Sequence, residues 1–120
     1  MKVVVTSMGE GVDSEVDPRF GRASKFVLVD TETSETTSAD NSAGVDATHG
    51  AGVQAAETIS RLGAECLITG HCGPKAFRAL QAAGIEVYTG ASGTVTEAIE
   101  QLRSGDLQRS GGPDVGGHWG

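Results

Sequence analysis

Arg19, Arg22 and Lys25 fall within seven residues of one another in VDPRFGRASKF, residues 16–26. The chain around them is acidic. Nine Lys and Arg face sixteen Asp and Glu, for a formal net charge of −7. A third of the scarce positive charge is thus gathered in one short stretch. Two glycine turns carry chemistry that suits it. Gly50-Ala51-Gly52 follows His49, and Gly70-His71-Cys72-Gly73-Pro74-Lys75 follows an apolar run. Both open segments with helical spacing. The first turn of a helix presents unpaired N–H groups and the positive end of the macrodipole. Glycine lets a ligand come close to the backbone. Cations, helix N-termini and glycine together favour an anion. Each element also has a plainer reading. The cations could simply pair with Glu15 and Asp17, and glycine and proline are ordinary helix-start residues.

Other chemistries are less well provided for. His71-Cys72 is a pair of soft metal ligands, but two adjacent residues do not make a zinc site. Cys66 lies within an apolar strand segment, and its sulfur is expected to be too far from Cys72 for a disulfide or a shared ion. It reads as a small buried hydrophobe. Cys72 near a helix start is either a reactive thiol of lowered pKa or merely exposed. His49 is either a cap-region residue or part of a ligand shell. His118-Trp119 gives little basis for any assignment. A nucleophile elbow and a G-x-x-x-x-G-K-[ST] phosphate loop are both missing from the sequence. The first strand, KVVVTS, has no carboxylate that could serve a two-metal nuclease.

The elements that must position these residues follow from periodicity and punctuation. Residues 2–7 and 26–30 read as buried strands, with a short edge strand near 33–38. Val53, Ala56, Ile59 and Leu62 recur at helical spacing in 50–63, and Gly63 is a stop. Residues 65–69 form a strand. A helix then starts at Pro74, buries Ala76, Phe77, Leu80 and Ala83, and ends at Gly84. After a strand at 85–89, Thr94 and Glu97 spell a capping box for a last helix that stops at Gly105. The order β-β-β-α-β-α-β-α predicts an α/β domain over 1–105. Its five-stranded mixed sheet has strand order 3-2-1-4-5, with three helices on both faces. Residues 106–120, rich in glycine, are expected to be a flexible C-terminal tail.

That order brings four segments to one sheet edge: Ser7-Met8-Gly9, Arg19 to Lys25, His49 to Gly52, and Gly70 to Lys75. Strand order reverses between strands 1 and 4, and the crevice at such a switch point is the usual ligand site.

Composition limits the remaining possibilities. One domain of 120 residues can bury a core unaided. Two cysteines make no disulfide framework. No signal-peptide pattern and no membrane-length apolar segment is read, so a soluble, cytoplasmic monomer is expected. The acidic balance and sparse aromatics argue against a nucleic-acid partner.

Taken in order, DPRFGRASKF, GAG and TG-x-x-GP-x-A resemble the dinitrogenase iron–molybdenum cofactor biosynthesis family, with the latter two lying within GAGVQAAETISRLGAECLITGHCGPKAFRALQAAGIEVY. That family includes the cofactor carrier NifX and the C-terminal part of NifB. The resemblance spans residues 2–103. It implies a ribonuclease H-like fold without nuclease activity and an anionic metal–sulfur cluster as ligand. Among stand-alone members it is greatest to those carrying a molybdenum–copper sulfide cluster held non-covalently; a related molybdenum or iron–sulfur cluster is the wider expectation. By motif position, Arg19, Phe20, Gly21, Arg22 and Ala23 would line one wall. Gly50, Gly52, Gly70, His71, Cys72, Gly73, Pro74 and Lys75 would line the other, with Met8 and Phe20 as apolar padding. Family members differ in whether Cys or His binds metal directly, and here His49, His71 and Cys72 are the candidates. The function so implied is non-enzymatic storage or transfer of the cluster to an accepting protein. The alternatives are a phosphate or phosphometabolite site, catalytic or not, and a regulatory interaction module.

Overall fold

The structure is a computed structural model that describes residues 1–110. The remainder of the expected tail, with His118 and Trp119, lies outside the described residues.

Lys2–Ser7 forms β1, Lys25–Asp30 β2 and Thr36–Asp40 β3. A single turn, α1 (Ser42–Val45), leads to α2 (Ala51–Arg61). Then come β4 (Cys66–Ile68), α3 (Pro74–Ala82), β5 (Glu86–Thr89), α4 (Val95–Ser104) and β6 (Gln108–Arg109). The sheet order is β3-β2-β1-β4-β5-β6. β1 runs antiparallel to β2 and parallel to β4, with Val4 opposite Leu28 on one side and Leu67 on the other. β5 is parallel to β4, and β6 is antiparallel to β5.

The expected order of the first five strands stands, but the described residues form a six-stranded sheet and four helices. Neither addition has a pattern to read. α1 is four residues without a side-chain cap. β6 is two exposed residues, recruited by the edge of β5 through the Tyr88–Arg109 and Thr89–Gln108 pairs. The edge strand sits later than expected because Ser34, at φ 65°, turns the chain after β2.

Helices cover both sheet faces, so the central strands are apolar on both sides. Val3, Val4 and Val5 are all fully buried. Val4 joins Phe20, Phe26, Ile59, Leu67 and Leu80 in a core under α2 and α3. Val3 and Val5 face the opposite core with Val27, Ile68, Val95, Ala98 and Ile99 under α4. Burial of each large aliphatic side chain stabilises the fold by roughly 1.5–3 kcal/mol. α4 is closed by its capping box: Thr94 Oγ1 accepts from Glu97 N at 3.2 Å, and Glu97 Oε1 accepts from Thr94 N at 2.8 Å.

The long β1–β2 connection folds back on the sheet. Asp17 N donates to Thr6 O at 2.9 Å. The Thr6 hydroxyl donates to Asp17 O at 2.7 Å and shares a hydrogen bond with the Thr69 hydroxyl at 2.9 Å. This buried threonine pair pins the start of the arginine stretch to the ends of β1 and β4. It thereby fixes that stretch beside the turn that follows β4.

Candidate anion-binding site

Three segments meet at that sheet edge. His71 N donates to Pro18 O at 2.9 Å, and Arg19 and His71 form a parallel bridge. Gly21 packs on the first turn of α2, where an added Cβ would lie 2.7 Å from Gly52 N. Gly52 in turn abuts α3, where its Cβ would meet Ala76 Cβ at 2.6 Å. Gly70 leaves room for Pro18, which a Cβ would approach to 2.6 Å. These glycines make room for neighbouring segments of the protein, not for a ligand as the sequence suggested. Between the segments opens a cavity of about 450 Å³. Arg19, Phe20, Gly21 and Arg22 line one wall; Gly50, Gly52, Val53, His71, Gly73, Pro74, Lys75 and Ala76 line the other.

Two helices begin at this cavity, and neither has a side-chain cap. The N-cap of α2 is Gly50, left-handed at φ 69°; that of α3 is Gly73, with Pro74 at the first helical position. Neither carries an acidic residue in its first turn. The early N–H groups, at Ala51, Gly52 and Val53 and at Lys75 and Ala76, have no carbonyl within their own helix to bond. With the two dipole ends they make a positive rim of backbone.

The side-chain charges are distributed less freely than the sequence implied. Arg19 is 57% exposed, but its guanidinium engages Asp17, whose side chain is 1% exposed. Asp17 Oδ1 accepts from Arg19 N at 3.0 Å and Nε at 3.2 Å, and Oδ2 accepts from Nη2 at 3.3 Å. These contacts satisfy the buried carboxylate, and the hydrogen bond to Asp17 also holds the Arg19 pKa above its ordinary value. Pairing with Asp17 therefore holds for Arg19. Arg22 donates from Nη1 to Val45 O and from Nη2 to Ala47 O, both at 3.1 Å. Lys25 is not at the cavity. It starts β2 and pairs with Asp40 across the β2–β3 ladder. Lys75 is the third cation of the lining, with an exposed side chain.

The other expected site residues take varied places. Ser7 bonds locally, its Oγ donating to Gly9 O at 2.7 Å. Met8 is 55% exposed and outside the lining. Ala23 is fully buried in the core. His49 is exposed just before α2, and Gly70 packs on Pro18 behind the wall. His71 is exposed and lines the cavity. Cys72 is 1% exposed, in the core with Phe20, Phe26 and Phe77. It is thus not the exposed thiol that the sequence allowed, because the turn after β4 points successive side chains to opposite sides, His71 out and Cys72 in. Cys66 lies in the opposite core, and burial, then Glu86, pushes its thiol up to about 12. Among the described residues, no group of three or more His, Cys, Asp or Glu is placed to hold a metal ion. Val53 and Ala76 were missed as lining residues. The signal was present, since each sits in the first turn of a helix read from the sequence.

The arrangement can hold an anion through N–H groups and cations, against apolar surface from Phe20, Val53 and Pro74. Comparison with known proteins gives that anion a context. The apo orange protein of Desulfovibrio gigas is 46% identical at a TM-score of 0.91, over 94% of this chain and 95% of that one. A Thermotoga protein of the DUF35 family, provisionally assigned as NifB, is 35% identical at a TM-score of 0.78, over 90% and 91%. An uncharacterized protein of Methanocaldococcus jannaschii is 28% identical over 112 residues, 91% of this chain and 95% of its own length. The family model described as dinitrogenase iron-molybdenum cofactor matches residues 1–105, and the chain belongs to that family.

Proposed function

We propose that this protein carries an anionic, sulfur-rich, molybdenum-containing cluster as cargo, without catalysing a reaction on it, and delivers it to an accepting protein. The observation that carries the reading is the convergence of two bare helix starts with Arg19, Arg22 and Lys75 on one cavity of about 450 Å³. The donor set fits such cargo. Terminal sulfides are large, weakly hydrated acceptors, suited to backbone N–H groups and guanidinium beside apolar carbon. Both cysteines are buried in cores, so the cargo would bring its own sulfur ligands. The molybdenum–copper sulfide type is the finer form of the proposal; it rests on the resemblance to stand-alone members of the family and on the likeness to the orange protein. No described helix is long and apolar enough to cross a membrane, and we place the carrier in the cytoplasm as a monomer.

A phosphorylated metabolite would find the same N–H groups, but general-base chemistry has poor support: the buried carboxylate nearest the site, Asp17, is taken up by Arg19. The test is reconstitution of the apo-protein with tetrathiomolybdate and copper. A coloured complex of fixed stoichiometry is expected to survive gel filtration. Colour eluting only with small molecules overturns the carrier reading. Inorganic phosphate shifting the Arg22 and Gly73 amide resonances at micromolar concentration would favour the metabolite.

A further inference from the structure

Asn41 stands where β3 ends and α1 begins, and it is 1% exposed. Asparagine at such a position normally caps the helix through its side chain. Here the side chain makes no cap bond. Its Nδ2 donates instead to Gly21 O at 3.0 Å and to Ala23 O at 2.9 Å, bracketing Arg22. Turning the amide over would set Oδ1 against two carbonyl oxygens, so chemistry fixes its orientation. Oδ1 is left buried without a hydrogen-bond partner among the described residues. Arg22 returns the contact, donating to Val45 O and Ala47 O. Two pairs of hydrogen bonds thus run in opposite directions between 21–23 and 41–47. The fit is close, since a Cβ on Gly44 would lie 2.2 Å from Gly21 O. Segment 41–47 leads directly to Gly50 and the bare start of α2.

We propose that Asn41 is a positioning residue for the anion site. With Arg22 it forms a reciprocal clasp that sets the arginine turn against the N-terminus of α2. A side chain diverted from its local cap, with one polar atom left orphaned, is the kind of local inconsistency that marks a functional constraint. The guanidinium of Arg22 has five N–H donors; the clasp uses two and leaves the others for the anion. A lysine would keep the charge but could not bridge both carbonyls. The inference rests on the carrier reading only for its cargo measurement.

The experiment uses the full chain with Asn41→Asp, Arg22→Lys and the double variant. In the apo-protein, amide exchange is followed at Ala23, bonded to Phe20 O, and Gln54, bonded to Gly50 O, with Ala98 on α4 as reference. Each single variant is expected to speed exchange at Ala23 and Gln54 at least roughly tenfold, leaving Ala98 unchanged. Loss of copper–tetrathiomolybdate cargo should quicken roughly tenfold in Arg22→Lys despite its retained charge. The double variant should be no worse than the more severe single one, because both break one unit. Unchanged exchange at Gln54 overturns the proposal. So does an equal increase at Ala98, which would mean global loosening, and so do additive effects in the double variant. Should Asn41→Asp fail to fold, Arg22→Lys alone decides through Gln54. Failure of the wild type to retain cargo would remove the carrier reading, while the exchange measurement would still decide the clasp.

Discussion

Replacing Gly21 by alanine adds one methyl group at the seam between the cavity walls. Its Cβ would stand 2.7 Å from Gly52 N and 3.0 Å from both Ala51 C and Gly52 Cα. All three are backbone atoms of the first turn of α2, so no side chain can swing aside. Gly21 does not have a positive φ, so alanine is not strained by its own backbone. The whole cost is therefore steric, and relief needs the turn and the helix to part by about 0.5–1 Å. Overpacking of this kind costs about 1–3 kcal/mol. At roughly 4 °C per kcal/mol for a domain of this size, Tm should fall by about 4–12 °C. The same movement pulls the N–H groups of α2 away from the arginine wall. Misplacement approaching 1 Å can cost about 100-fold where geometry decides, so cargo retention should drop more steeply than stability. Gly73→Ala is the control. Its Cβ meets nothing within 4 Å, and its φ of −76° suits alanine. Reduced freedom of the unfolded chain offsets the poorer cap, so its Tm should lie within about 2 °C of wild type. Calorimetry of the three proteins decides the matter. A Gly21→Ala protein that melts with the wild type, or a Gly73→Ala protein that falls equally far, refutes the tight seam.

Other expected outcomes bear on separate parts of the argument. Thr94→Ala breaks the capping box of α4 and should cost about 1 kcal/mol in urea unfolding, with cargo retention unchanged because α4 covers the other sheet face. Lys75→Gln removes an exposed lining cation, so stability should stay within about 0.5 kcal/mol while cargo is lost faster and its release becomes less salt-sensitive. Gly73→Asp puts a carboxylate at the bare start of α3, where the extended backbone (φ −76°, ψ 170°) permits a cap; the apo-protein should hold its Tm or gain slightly, and copper–tetrathiomolybdate should no longer bind. Cys66, with its thiol raised to about 12 by burial first and Glu86 second, favours the neutral folded form. Its contribution is whole below the ordinary thiol range and drains away as pH rises from there through 12. Cys66→Ala should flatten that limb of the stability–pH profile, measured as the difference between the two proteins.

Periodicity and punctuation carried the main architecture. The helix stops at Gly63, Gly84 and Gly105 all have positive φ, between 76° and 84°, where a side chain would be strained. The apolar stripes are buried at Ala56 and Ile59 of α2, at Ala76, Phe77 and Leu80 of α3, and at Val95, Ala98 and Ile99 of α4. Val53, Leu62 and Leu102 are half-buried, and Ala83, expected inside, is exposed at the end of α3. Topology then brought the arginine stretch to both glycine turns without further information. Much of what stayed hidden lies in irregular backbone, where no period tells which way a side chain points, or at an element's boundary. Cys72 turns inward while its neighbour His71 turns out. Lys25, counted with the arginines, already belongs to β2 and pairs across the ladder with Asp40. The diverted side chain of Asn41 has no local signal, because its partners, Gly21 and Ala23, lie some twenty residues earlier in the chain.

The uneven capping of the helices is informative in its own right. α4 has a complete capping box, so this chain can write one. α2 and α3, whose starts face the cavity, have glycine at the N-cap and no acid in the first turn. A side-chain cap would add up to about 1 kcal/mol to each helix, but it would occupy the N–H groups and neutralise the dipole ends that an anion needs. A bound anion supplies the missing acceptors. At a concentration 100 times its Kd, it would stabilise the folded state by about 2.7 kcal/mol, more than the two missing caps would give together. The bare helix starts would thus cost the empty protein little and would leave their hydrogen bonding to the proposed cargo. On this reasoning the loaded protein should be the more stable form, and the stability difference should reside in α2 and α3 and not in α4.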